Sequence, residues 1–246
     1  VPKYYSLVWI VITTPFIYIL FFIIGLIFFI FNFIKKKHTR FDESFFKDLF
    51  CLSLLFSVLI IISYLGSTLY NGWRQLYFLY ALIVYVSILG IFELYLLLNI
   101  NNKKYLIITF IISFLSTSYW MFLNHPHQYV YFNFLVGGNF DKKFEMDYWG
   151  LSYKENLEYL LKHENKELIK IFNLSINKVE RTSIILPEFY REKLQFTKKP
   201  TDADYLITNY YYKKEAKYKF NKKDYKILNE VKVDGISINT LYKKIN

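Results

Sequence analysis

The sequence predicts a membrane-embedded all-α bundle of four transmembrane helices followed by a small extracytoplasmic α/β domain. Two observations carry that prediction. Charge is unevenly distributed: residues 1–125 hold 9 Lys/Arg and 4 Asp/Glu, while the remaining 38 of the 51 charges fall in residues 126–246. Four apolar runs also lie in the charge-poor half, each near or above the roughly 20 residues a helix needs to cross the hydrocarbon core. Apolar residues make up 54% and aromatics 22% of the chain, a composition too rich in packing side chains for a disordered protein.

The first run, Tyr4 to Ile34, has no charged residue, which places span one at about residues 7–34. Thr13-Thr14-Pro15 lies inside it and predicts a kink. Such a break is tolerated where neighbouring groups satisfy the freed carbonyls. Spans two to four fall at about residues 49–66, 76–98 and 105–123, with Glu93 near the end of the third. Glu93 reads as a group reaching the cytoplasmic interface. Helices are the expected form, because an open strand leaves backbone groups unsatisfied in lipid. Cys51, the single cysteine, sits in an apolar run and reads as a small hydrophobe. It excludes an internal disulfide.

Orientation follows from the short loops. Lys35, Lys36, Lys37 and Arg40 separate spans one and two, and Lys103 and Lys104 separate three and four, whereas only Arg74 lies between two and three. Lysine-rich loops stay in the cytoplasm, so Val1, the Arg74 loop and everything after Leu123 are expected on the opposite side. Because Val1 opens almost directly onto an apolar run, the sequence reads as a fragment or mature product with its N-terminal part upstream.

Residues 124–150 read as an interfacial aromatic loop, since amphipathic rings settle at the membrane boundary. Residues 151–246 form the α/β domain. Ser152-Tyr153-Lys154-Glu155 has the capping-box pattern and predicts a helix to about His163. Leu168–Leu174, Thr182–Leu186 and Tyr205–Thr208 read as strands, and Pro187–Arg191 as a helical turn. Tyr225–Val233 and Ile236–Tyr242, joined at Asp234-Gly235, read as a hairpin. Strand order is left open.

Few residues invite chemistry. Arg74 carries a planar, bidentate donor suited to a phosphate, and its other reading is an interfacial arginine among lipid headgroups. His125 and His127 read either as metal ligands or acid–base groups, or as polar caps at the end of span four. Asp141, Glu145 and Asp147 form a carboxylate group with Lys142 and Lys143 beside it. No glycine-rich phosphate loop, nucleophile elbow or His-Glu-x-x-His helix is present, and no motif supports nucleic-acid binding despite the net charge of +11.

A resemblance adds to this reading. His125-Pro126-His127-Gln128-Tyr129-Val130-Tyr131-Phe132-Asn133, Gly137-Gly138 and Asp147-Tyr148-Trp149-Gly150 are its most distinctive strings. With Asn71–Phe78 and Val233–Ile236, they resemble the C-terminal part of bacterial polytopic glycosyltransferases of the GT-C type, similar to the dolichyl-phosphate-mannose protein mannosyltransferase superfamily. The resemblance covers most of residues 1–150 and the final hairpin. It implies a bacterial inner-membrane enzyme that moves a sugar from a polyprenyl-phosphate carrier to an extracytoplasmic glycan, lipid or protein acceptor. The family's acidic catalytic residue lies in an earlier loop, which would precede Val1. Some members use a divalent cation, and no metal-binding residue is assigned here. On this resemblance Arg74, with His125 and Gln128, is expected to hold the donor phosphate. Trp73, Tyr129, Asn133, Asp147 and Trp149 are expected to line a sugar or acceptor cleft. A non-catalytic membrane scaffold presenting the α/β domain, or a transporter, are the other classes, though the spans offer a transporter few polar groups.

Overall fold

The computed structural model describes residues 2–35, 43–67, 69–211 and 224–245. Lys36, Lys37 and Arg40, on which part of the orientation argument rests, lie outside them. The chain forms two compact units. One comprises residues 1–123 with 131–138, and the other residues 124–130 with 139–246.

In the first unit the run read as span one is divided. Helix α1 covers Tyr5–Thr13 and α2 covers Phe16–Lys35, with Thr14 extended between them. The reason is Pro15, which has no N–H to donate to Val11 and blocks a continuous helix. Helices α3 (Glu43–Leu65), α4 (Phe78–Leu97) and α5 (Ile100–Leu123) follow, with a short 3-10 turn at Arg74–Leu76. Four helices, α2 to α5, are long and apolar enough to cross a membrane. Helices α3 and α5 each begin about five residues before the expected spans, because Glu43–Asp48 and Ile100–Lys104 continue the helices into polar sequence.

The closest pairing joins α2 to α4, and it depends on small residues. A Cβ on Gly25 would sit 2.2 Å from the Val86 carbonyl oxygen, and one on Gly90 2.2 Å from that of Phe21. Ser87 Oγ donates across the gap to Tyr18 O at 2.9 Å. This close backbone approach is how helices associate where lipid removes the hydrophobic drive between them. Phe45 of α3 stacks on Phe29 of α2, with centroids 5.3 Å apart. Helix α5 buries none of its residues within this unit.

The second unit is a five-stranded mixed sheet of order β2-β1-β3-β5-β4. Its strands are β1 (Ile169–Asn173), β2 (Leu194–Phe196), β3 (Tyr205–Thr208), β4 (Tyr225–Val233) and β5 (Ile236–Lys244). β1 pairs parallel with both β2 and β3, while β5 runs antiparallel to β3 and β4. Helix α6 (Tyr153–His163) covers one face with Tyr153, Leu157 and Leu160, packed on Ile169, Ile171, Tyr205, Ile207 and Leu241. A smaller cluster of Phe172, Ala203 and Leu206 fills the other face. Asp234 and Gly235 both take positive φ, as a tight two-residue hairpin turn requires.

One expected strand is absent. Thr182–Leu186 instead spans the end of a short helix, α7 (Val179–Ser183), and the turn after it. Its β-branched residues favour a strand, but it pairs with none of the five strands. Its backbone closes local bonds instead, including Ile185 N to Thr182 O and Leu186 N to Ser183 O. The strand beside β1 is Leu194–Phe196, too short to show alternation in the sequence. Helix α8 (Glu188–Arg191) forms where Pro187 predicts a helical turn.

Candidate functional site

The residues singled out from the sequence divide between the units. Trp73, Arg74 and Asn133 belong to the helical unit, and His125, Gln128, Tyr129, Asp147 and Trp149 to the α/β unit.

In the helical unit the α1–α2 break is the organising point. Ending a helix at Pro15 frees the carbonyls of Val11 and Ile12. Asn133 satisfies both, through Nδ2 to Val11 O at 2.6 Å and its backbone N–H to Ile12 O at 2.8 Å. Its second amide hydrogen reaches Thr14 O at 2.7 Å, and its Oδ1 accepts from Leu135 N. The same break receives Trp73, whose indole Nε1 donates to Thr13 Oγ1 at 2.9 Å. Gly72 N donates to Tyr5 OH, and Trp9 packs against Phe132. The loop after α3 and the segment 131–138 therefore converge on α1, at the end of α2 opposite Lys35. Trp73 is buried, with Tyr77 edge-on at 5.0 Å, while Arg74 beside it is exposed. Arg74 opens the 3-10 turn that leads into α4. Its charge thus lies within about a turn of the positive end of that helix's dipole. The Thr14 hydroxyl at this junction is buried with no hydrogen-bond partner among the described residues.

In the α/β unit Asp147 is the centre. It is 1% exposed and accepts from Tyr129 OH at 2.7 Å, Leu151 N at 3.0 Å, Ser152 N at 3.2 Å and Ser152 Oγ. Burial pushes its carboxyl above the ordinary range, and the hydrogen bonds from Ser152, Tyr129 and Leu151 oppose that rise. The Tyr129 hydroxyl is pushed strongly upward by burial and by the Asp147 charge. His127, also buried, sets Nε2 3.0 Å from Glu155 Oε2 and Nδ1 3.4 Å from Tyr129 OH. The network continues from Ser152 Oγ to Asn239, Asn156 and Asn229.

This arrangement explains the Asp-Tyr-Trp-Gly string physically. Gly150 N bonds Asp147 O to close a turn, and Gly150 holds φ +70 with a Tyr153 ring carbon 2.8 Å from where a Cβ would lie. Glycine is therefore required on two counts. The helix starts beside Ser152 as expected, but not through a capping box. Asp147 accepts from Leu151 N and Ser152 N just ahead of the helix, the Ser152 hydroxyl bonds Asp147 rather than the helix, and Glu155 pairs with His127.

The remaining residues are more open. Gln128 Nε2 lies 2.9 Å from His125 Nδ1 on the surface, and Trp149 is 49% exposed with Tyr148 edge-on to its ring. The carboxylates grouped in the sequence separate: Asp147 turns inward, while Asp141 and Glu145 face solvent. Sequence reasoning missed the His127–Glu155 pair, because residues 28 apart carry no periodic signal of contact. No family model, curated protein or solved structure matches the chain.

Proposed function

We propose that this chain belongs to an integral-membrane glycosyltransferase that transfers a sugar from a polyprenyl-phosphate carrier to an acceptor on the extracytoplasmic side of a bacterial inner membrane. The observation that carries this reading is Arg74, an exposed guanidinium at the head of α4, fixed in place because its neighbour Trp73 is tied to the α1–α2 break. A lipid-carried donor keeps its phosphate at the membrane boundary, where four apolar helices end. An arginine fork backed by a helix N-terminus is suited to that anion. Within the α/β unit, His125 and Gln128 contact each other, and the exposed rings of Tyr129 and Trp149 offer faces to a sugar. The buried Trp73, Asn133 and Asp147 act as positioning residues for these groups. No residue of this chain is assigned as the catalytic acid or base.

The test is Arg74→Ala and Arg74→Lys in the full-length protein reconstituted in vesicles with a polyprenyl-phosphate-linked sugar. Losing a charged hydrogen bond to the donor should raise its KM about ten- to a hundredfold in Arg74→Ala, with Arg74→Lys between it and the parent. Thermal stability should be unchanged, since the side chain is exposed. Unaltered dependence on donor concentration removes Arg74 from the site, and no sugar turnover by the parent protein leaves the scaffold class standing.

A further inference from the structure

We infer that the α/β unit binds an uncharged carbohydrate chain in a groove walled by residues 141–146, 209–211 and 235–237. In this sheet β1 lies between β2 and β3, so the chain leaves β1 towards one side and returns on the other. Ligands reach open α/β sheets at the carboxyl ends of their strands, and here one wall comes from the carboxyl end of β3. Asn209 follows β3 directly, and the β4–β5 turn comes alongside because β5 runs antiparallel to β3. The resulting groove holds about 870 Å³. That is toward the upper end of the roughly 300–1,000 Å³ usual for ligand sites.

The walls are built in advance. Asn209 Nδ2 donates to Asp147 O at 2.7 Å, and Asn177 Nδ2 donates to Tyr148 O, so the end of the 141–146 segment is tethered to the strand ends. Tyr211 N donates to Asn209 Oδ1, and the Tyr211 ring lies 5.3 Å from that of Tyr148. Tyr210 holds φ +60, an unfavourable conformation for a residue with a side chain, and its hydroxyl bonds Thr240 Oγ1. Strain of this kind persists where surrounding structure imposes it and collects at binding sites.

The lining selects the ligand class. Asp141 and Glu145 are balanced by Lys142 and Lys143, so the walls carry no net charge to favour an anion or a cation. Carboxylates that accept and ammonium groups that donate, with Asn209 and Ser237 between them, match the dense hydroxyls of a sugar. Tyr210, Tyr211 and Phe144 add the aromatic surface on which a sugar's apolar face packs. None of these residues belongs to the proposed donor site, and the inference does not need the transfer reaction; it applies equally to a non-catalytic membrane anchor.

The experiment uses the full chain in lipid nanodiscs free of sugar-headed detergent, titrated calorimetrically with maltotriose, mannotriose and chitotriose, and with trigalacturonate and trilysine as charged probes. Saturable binding of at least one neutral trisaccharide, tighter than either charged probe, is expected. Tyr210→Gly, which keeps the left-handed backbone but removes the ring, should weaken that binding about tenfold. Glu145→Gln, at an exposed position that does not threaten folding, should weaken it several-fold. The inference is overturned if no neutral trisaccharide saturates, if a charged probe binds more tightly, or if Glu145→Gln leaves the affinity unchanged.

Discussion

The two units of this protein use apolar residues in opposite ways. In the α/β unit burial follows the sequence pattern: Leu157 and Leu160 of α6 and Ile169 and Ile171 of β1 are fully buried, and charged residues between them face outward. In the helical unit even the most apolar helices stay largely exposed. Helix α5 hides no residue at all, and Phe50, Ile60 and Phe122 are more than half exposed. Burial in water is driven by apolar area, but lipid is as apolar as leucine, so hydrophobicity selects the membrane without selecting a partner helix. What selects the partner is the absence of a side chain at Gly25 and Gly90 and the hydroxyl of Ser87.

The largest test of that contrast is Gly90→Leu. Any Cβ at this position meets the Phe21 carbonyl, so α2 and α4 must separate, at about 3 kcal/mol or more. In a Cys51→Ala background, disulfide trapping between Tyr18→Cys and Ser87→Cys should be efficient with Gly90 present and fall sharply in Gly90→Leu. Equal trapping would mean that the pairing does not rest on close backbone approach.

In the α/β unit the equivalent vulnerability is polar. Asp147→Ala leaves the Tyr129 and Ser152 hydroxyls and the Leu151 and Ser152 N–H groups just ahead of α6 without their acceptor, a loss of about 2–3 kcal/mol. Amide exchange should accelerate through Leu151–Leu157 while α2 and α4 stay protected. Uniform acceleration through both units would instead show that they unfold together.

The smallest effect concerns acid. Burial raises the Glu164 carboxyl, but the hydrogen bond from Lys243 and the nearby positive charges outweigh it, and the net shift is downward. A carboxyl with a depressed folded-state pKa contributes stability that is present above its unfolded pKa and lost as pH falls through the folded value. Glu230, held by Lys232 and Ser237, acts in the same direction. Melting temperature should fall on acidification below the ordinary carboxylate range, less steeply in Glu164→Gln. An unchanged slope would assign the acid sensitivity to other carboxylates.

Much of the architecture was legible in the residues. The four apolar helices, the helix from Ser152, the strand at Tyr205–Thr208 and the terminal hairpin all stand close to where local pattern predicts them. The break at Pro15 was legible as well, because a missing N–H is a local fact. The group that fills the break was not, since Asn133 lies more than a hundred residues away. Local propensity misleads at Thr182–Leu186, where β-branched residues close helical and turn hydrogen bonds instead of joining the sheet.

At the site, residue identity alone names the groups able to do chemistry: the fork of Arg74, the rings of Tyr129 and Trp149, and the carboxylates at 141, 145 and 147. Packing between distant segments sets which of those carboxylates faces inward, that His127 pairs with Glu155, and that three separate segments wall one groove. The reason is one of range. Helix and strand periodicity, turn residues and proline act within a few neighbours along the chain. A hydrogen bond between distant residues is set by how packed elements bring their backbones together, and no local pattern encodes that.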